Sequence, residues 1–116
     1  MSSYPAMATL SCPACKTALK QAGYTEKCAT CDGAWVAEDV LVAILQERAS
    51  AMVDLPWQSR AQNRDRGCAV CGTPMQAVSL GGVPLDRCPS HGVWFDEAEL
   101  AGTIAHAKEF KNLLGG

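Results

Sequence analysis

Cys12-Pro-Ala-Cys15, with Cys28-Ala-Thr-Cys31-Asp-Gly-Ala-Trp35 twelve residues further on, returns later in the chain as Cys68-Ala-Val-Cys71 and, sixteen residues on, Cys88-Pro-Ser-His91-Gly-Val-Trp94. The chain is one motif written twice. The second copy carries four extra residues in its middle and one fewer between its last paired residue and the tryptophan. Both copies then run into an acidic, leucine-containing segment, Glu38-Asp39-Val40-Leu41 and Asp96-Glu97-Ala98-Glu99-Leu100. A repeat of this length sets the organisation before any local structure is assigned. It divides the chain into a tail at 1–11, a first module at 12–53, a linker at 54–67 and a second module at 68–116.

The spacing is metal chemistry. A two-residue spacer folds the backbone so that two sulfurs face one point, and two such pairs complete a tetrahedron around Zn2+ at about 2.3 Å. Site one is Cys12, Cys15, Cys28 and Cys31; site two is Cys68, Cys71, Cys88 and His91. His91 stands where a cysteine stands in the first copy, and the longer reach of imidazole suits the missing residue before Trp94. All seven cysteines are used, which removes the parity problem that an odd number poses for disulfides. Gly33, Gly72 and Gly92 follow the pairs, where a tight backbone is expected. His106 has no cysteine near it and reads as structural or solvent-facing.

Local structure follows the motif. Met75–Leu80 and Val83–Arg87 flank Gly81-Gly82, a hairpin signal, and Pro84 suggests an edge strand. Thr17–Ala22 and Tyr24–Lys27 around Gly23 form the shorter counterpart. A helix follows each tryptophan. Asp96 and Glu99 read as a capping box for the second, while Ala37 leaves the first uncapped. Their apolar stripes are Val40, Leu41, Ile44, Leu45, Met52 and Val53, and Leu100, Ile104, Ala107, Phe110 and Leu114. The tryptophans are expected to pack over their knuckles against the helix that follows. The fold class is therefore small α+β and zinc-stabilised, with two tandem zinc-ribbon-like modules of knuckle, β-hairpin, knuckle and helix in a pseudo-twofold arrangement. Each stripe is longer than its own hairpin can cover, so the helices are expected to pack on each other, bringing Ile44 to Ile104. The rival arrangement is a homodimer through the helices.

These residues resemble the transcription factor IIB-type zinc-finger family of short bacterial proteins. The resemblance covers nearly all of 12–45 and 68–104 and is closest over Cys88-Pro-Ser-His-Gly-Val-Trp-Phe-Asp-Glu-Ala-Glu-Leu100. The first copy departs at Trp35-Val36-Ala37, where the usual pattern has an aspartate, and at Val40 in place of the later glutamate. The resemblance implies a zinc ribbon, and its name implies a link to transcription.

The composition narrows the function. The chain of 116 residues is 48% hydrophobic, which argues against disorder, and its formal charge of −2 lacks the basic excess of most nucleic-acid binders. Four thiolates on one zinc carry −2 and three thiolates with a neutral imidazole −1, taking the loaded chain to about −5. No stretch approaches the roughly 18 apolar residues of a membrane span, and the start has no signal-peptide pattern, so a cytoplasmic protein is expected. Two filled four-ligand sites leave no open coordination position, and no other catalytic constellation is present in the sequence, so no enzyme is expected. The reading is a non-catalytic protein with two structural zinc ions per chain that binds a macromolecule, foremost a protein. One alternative is nucleic-acid binding through Arg60, Arg64 and Arg66 beside Trp57. Another is a rubredoxin-like iron site for electron transfer, because iron shares the tetrahedral thiolate preference.

Overall fold

A computed structural model describes residues 10–60 and 66–111. The first module opens with the hairpin β1 (Lys20–Ala22) and β2 (Thr25–Lys27), turned at Gly23, and continues into β3 (Ala34–Ala37) and helix α1 (Glu38–Ala49). The segment read as a linker supplies β4 (Gln58–Ser59). The second module carries the longer hairpin β5 (Gln76–Leu80) and β6 (Val83–Cys88). Next come β7 (Gly92–Phe95), helix α2 (Glu99–Ala105) and a 3-10 turn at Ala107–Phe110. Leu10 is buried and Ser11 bridges Ala18, so the first module reaches back into the segment read as a tail.

The modules share one antiparallel sheet in the order β1-β2-β3-β7-β6-β5-β4. Its centre is the pairing of β3 with β7, in register Ala34↔Phe95, Trp35↔Trp94 and Val36↔Val93. Trp35 and Trp94 are repeat counterparts, so this pairing maps onto itself when the modules are exchanged. The pseudo-twofold axis passes between the two tryptophans.

Strand alternation then sorts the core into two faces. Ala34, Val36, Val93 and Phe95 point to the helical side, where they pack with Val78, Leu80, Leu85, Leu41, Leu45, Ala49 and Phe110. Trp35 and Trp94 point to the opposite side and pack with Leu10, Leu19, Met75 and the buried cysteines. Leu41, Leu45 and Ala49 recur every fourth residue, which lays one buried stripe of α1 along the sheet. Burying each leucine is worth about 1.5–3 kcal/mol.

Several expectations are corrected. The modules join strand to strand through β3 and β7, rather than by helix stripe on helix stripe. α1 packs on the 3-10 turn and the sheet as well as touching α2, and Ile44 and Ile104 are half-buried at the margin of the core. Met52 lies outside the stripe at 58% exposure. α2 stops at Ala105 instead of running on, since Gly102, Thr103 and Ile104 are weak helix formers, and Ala107 and Phe110 reach the core from the 3-10 turn. Leu114 lies outside the described residues. Asp96 is not the helix cap; Ala98 holds that position at φ 71°, and the return half of the capping box forms, with the Asp96 N–H donating to Glu99 Oε1 at 2.8 Å. Pro84 is not on an edge strand, because β6 lies between β5 and β7. The β7 ladder covers only Asp86–Cys88, so it ends before the residue that lacks an N–H.

Candidate metal centres

All eight residues read as ligands converge, in two groups of four. The ligand atoms of Cys12, Cys15, Cys28 and Cys31 lie within 4.8 Å of one another, as do those of Cys68, Cys71, Cys88 and His91. Cys12 Sγ lies 3.8 Å from Cys31 Sγ, and Cys71 Sγ lies 4.0 Å from Cys88 Sγ. A tetrahedron with Zn–S bonds of about 2.3 Å has edges of about 3.8 Å, so the spacing fits zinc. All seven cysteines are free thiols. His91 presents Nδ1, 3.7 Å from Cys68 Sγ and 3.5 Å from Cys88 Sγ.

The knuckles explain how the chain arrives there. In three of them the N–H one residue past the second cysteine donates to the first cysteine's carbonyl: Lys16 to Cys12, Asp32 to Cys28 and Gly72 to Cys68, each at 2.9 Å. Those three residues sit in left-handed backbone, at φ 65°, 60° and 75°. The fourth knuckle closes one residue earlier, with His91 N–H donating to Cys88 O at 3.1 Å. The left-handed residue is the one missing from the second copy, and the imidazole makes up the reach. Backbone N–H groups also point at the sulfurs, from Cys15 to Cys12 Sγ at 3.2 Å and from Val70 to Cys68 Sγ at 3.3 Å.

A hydroxyl accompanies each site, as outer-shell partners commonly do. A hydrogen bond from Thr17, 3.5 Å from the Cys28 sulfur, holds that thiol down at about 6. Thr73, the repeat counterpart of Thr17, holds Cys71 down at about 6. Burial pushes Cys31 and Cys68 up to about 12.

Gly33 and Gly92 do a different job from the one expected of them. Neither has left-handed backbone. A Cβ on Gly33 would lie 2.2 Å from Trp94 Cζ2, and one on Gly92 would lie 3.2 Å from Trp35 Cζ2 and 2.5 Å from the Val36 carbonyl oxygen. Each tryptophan therefore covers the knuckle glycine of the other module, on the face away from the helices. Both are fully buried, so they clamp the two metal clusters together across the axis.

The surroundings of the two tryptophans differ in a coordinated way. The Trp94 indole N–H donates to Asp96 Oδ1 at 3.1 Å, and Arg66 Nη1 donates to both Asp96 oxygens at 2.8 and 2.9 Å and to Asp86 at 3.3 Å. In the first module Leu10 and Ala37 occupy the positions of Arg66 and Asp96. The ion pair is replaced by two apolar residues, and the buried Trp35 N–H has no hydrogen-bond partner among the described residues.

Arg60 and Arg66, read with Trp57 as a candidate nucleic-acid contact, are both engaged inward by the second module. Arg60 donates from Nε to the Val78 carbonyl at 2.8 Å and from Nη2 to the Leu85 carbonyl at 2.9 Å, close to the buried Asp86. Arg64 lies outside the described residues. Trp57 stacks under Arg87, 4.9 Å from its ring centre, while Arg87 grips Glu38 of α1 with two hydrogen bonds. Sequence spacing missed Asp86, Arg87 and the tryptophan exchange; the paired departure at positions 10 and 37 was the available signal for the Arg66–Asp96 bridge. His106 stands apart from both clusters and pairs with Glu109.

A sheet that carries two closed tetrahedral clusters on one face and helices on the other defines a tandem zinc-ribbon protein holding two Zn2+. Residues 67–106, the core of the second module, match the family model described as transcription factor zinc-finger, and the first module repeats its ligand order. No curated protein and no solved structure matches the chain. Among the described residues no helix is long and apolar enough to cross a membrane.

Proposed function

We propose that Cys12, Cys15, Cys28 and Cys31 ligate one Zn2+, that Cys68, Cys71, Cys88 and the Nδ1 of His91 ligate the other, and that the assembly is a non-catalytic platform for binding a partner protein. The carrying observation is the pair of four-ligand clusters on one face of a shared sheet, each knuckle glycine covered by the other module's tryptophan. Four protein ligands per metal leave no open position for a substrate or an activated water. Structural zinc contributes on the order of 10–16 kcal/mol of folding free energy, so its role here is to hold a small sheet rigid. The modules at 12–53 and 68–116 then act as one body rather than as beads on a linker. Free thiols at seven positions suit a reducing compartment, the cytoplasm. The loaded charge of about −5 and the inward engagement of Arg60 and Arg66 favour a protein over a nucleic acid.

The test is photo-crosslinking of the zinc-loaded chain in cells, compared with Cys28→Ser. A protein adduct that disappears in the variant supports the reading. An adduct that nuclease digestion removes, or one that survives loss of the ligand unchanged, overturns it.

A further inference from the structure

The two modules differ at their hairpin tips. At the β5–β6 tip a Cβ on Gly81 would lie 2.9 Å from Phe110 Cζ of the 3-10 turn, while one on Gly82 would meet nothing within 4 Å. The β1–β2 hairpin is four residues shorter, a Cβ on Gly23 would meet nothing within 4 Å, and the next residue, Tyr24, is 79% exposed. Beside Tyr24 lies a groove of about 340 Å³ lined by Val40, Ala43 and Ile44 of α1 and by the carboxylates of Asp39 and Glu47. Val40 and Ile44 are half-buried, so the floor is apolar. No cation lines it, and neither Asp39 nor Glu47 has an ion pair among the described residues.

We propose that this groove docks a basic, apolar-anchored segment of a partner protein, resting on the protein-binding reading above. A tyrosine standing free beside an apolar floor is the residue type that concentrates binding energy at interfaces. Its phenol ring face also attracts a lysine or arginine. The two carboxylates place negative charge at either end of the floor, so the occupant carries Lys or Arg flanking a leucine-sized side chain. The charge of the loaded chain steers the same partners at longer range and disfavours nucleic acid. The groove is at the small end of ligand-sized pockets, which begin at roughly 300 Å³. That matches a few side chains of a docked segment.

The experiment selects a displayed library of short peptides on the immobilised, zinc-loaded chain and titrates the recovered peptides into 15N-labelled protein. Peptides rich in Lys or Arg beside Leu, Ile or Phe, with shifts centred on Tyr24, Val40, Ala43 and Ile44, support the proposal. Tyr24→Ala should weaken binding roughly thirtyfold. Asp39→Asn with Glu47→Gln should weaken it about tenfold and flatten its salt dependence. Acidic peptides, shifts centred elsewhere or no recovered peptide would overturn it. So would preference for a single-stranded oligonucleotide, or a concentration-dependent dimer that Tyr24→Ala abolishes. Native mass spectrometry of each variant separates the two failures. A wild type that holds both zinc ions yet binds no such peptide in the groove defeats this inference alone, and missing zinc in the wild type defeats the functional reading.

Discussion

Replacing Gly33 by alanine puts a methyl group 2.2 Å from Cζ2 and 2.7 Å from Cη2 of Trp94. That ring is fully buried between the two metal clusters and hydrogen-bonded to Asp96, so it has no free direction in which to move. Overpacking a dense core typically costs about 1–3 kcal/mol. An approach this close to a fixed ring belongs at or above the upper end, about 3 kcal/mol. At about 4 °C per kcal/mol for a chain of 116 residues, the midpoint of thermal unfolding of the zinc-loaded protein should fall by roughly 12 °C. Gly23→Ala is the control, because its Cβ meets nothing within 4 Å and only its φ of 63° is strained, at about 1–2 kcal/mol. Trp94→Phe removes the offending part of the indole. In that background Gly33→Ala should cost less than about 1 kcal/mol, so a double-mutant cycle reads the cross-module contact directly. Denaturant unfolding of the five proteins at constant free zinc is the assay. Equal costs for Gly33→Ala with and without Trp94, or a cost no larger than that of Gly23→Ala, would refute the tryptophan exchange.

Three further outcomes follow from the asymmetry between the copies. Leu10→Arg and Ala37→Asp should each destabilise by about 2 kcal/mol alone, since each buries an uncompensated charge, and by less together, which a double-mutant cycle in urea measures. Ala98→Gly should raise stability by about 0.5–1 kcal/mol in thermal unfolding, because φ at this position is 71° and glycine tolerates it. His91→Cys should lower zinc affinity at the second site in competition with a chromophoric chelator, because the shorter thiol does not make up the missing residue. Inserting one residue before Gly92 in that variant should restore it, since the other three knuckles use a left-handed residue there.

The sequence carried the ligands and hairpins openly because those signals are local: two-residue spacers, paired glycines and a repeat that aligns without ambiguity. The shape of the assembly was not local. Whether β3 meets β7 depends on the pairing of strands 59 positions apart, and nothing in either copy alone specifies it. Once that pairing is known, alternation sends Trp35 and Trp94 to the metal face, and the glycines at 33 and 92 acquire their reason. Arg66 illustrates the same limit. In sequence it belongs to a polar linker, yet Asp86 and Asp96, 20 and 30 residues away, draw it inward. The short α2 is hidden for a different reason, since the apolar period continues through Phe110 while the backbone changes from α-helix to 3-10 turn.

The most direct test of two independent ligand sets within one clamped sheet is native mass spectrometry of the wild type, Cys28→Ser and Cys88→Ser after saturation with zinc and removal of excess metal. The account predicts two zinc ions in the wild type and one in each variant, the retained metal being bound by the unaltered cluster. One zinc in the wild type, or loss of both metals in each variant as a shared site would give, would contradict it.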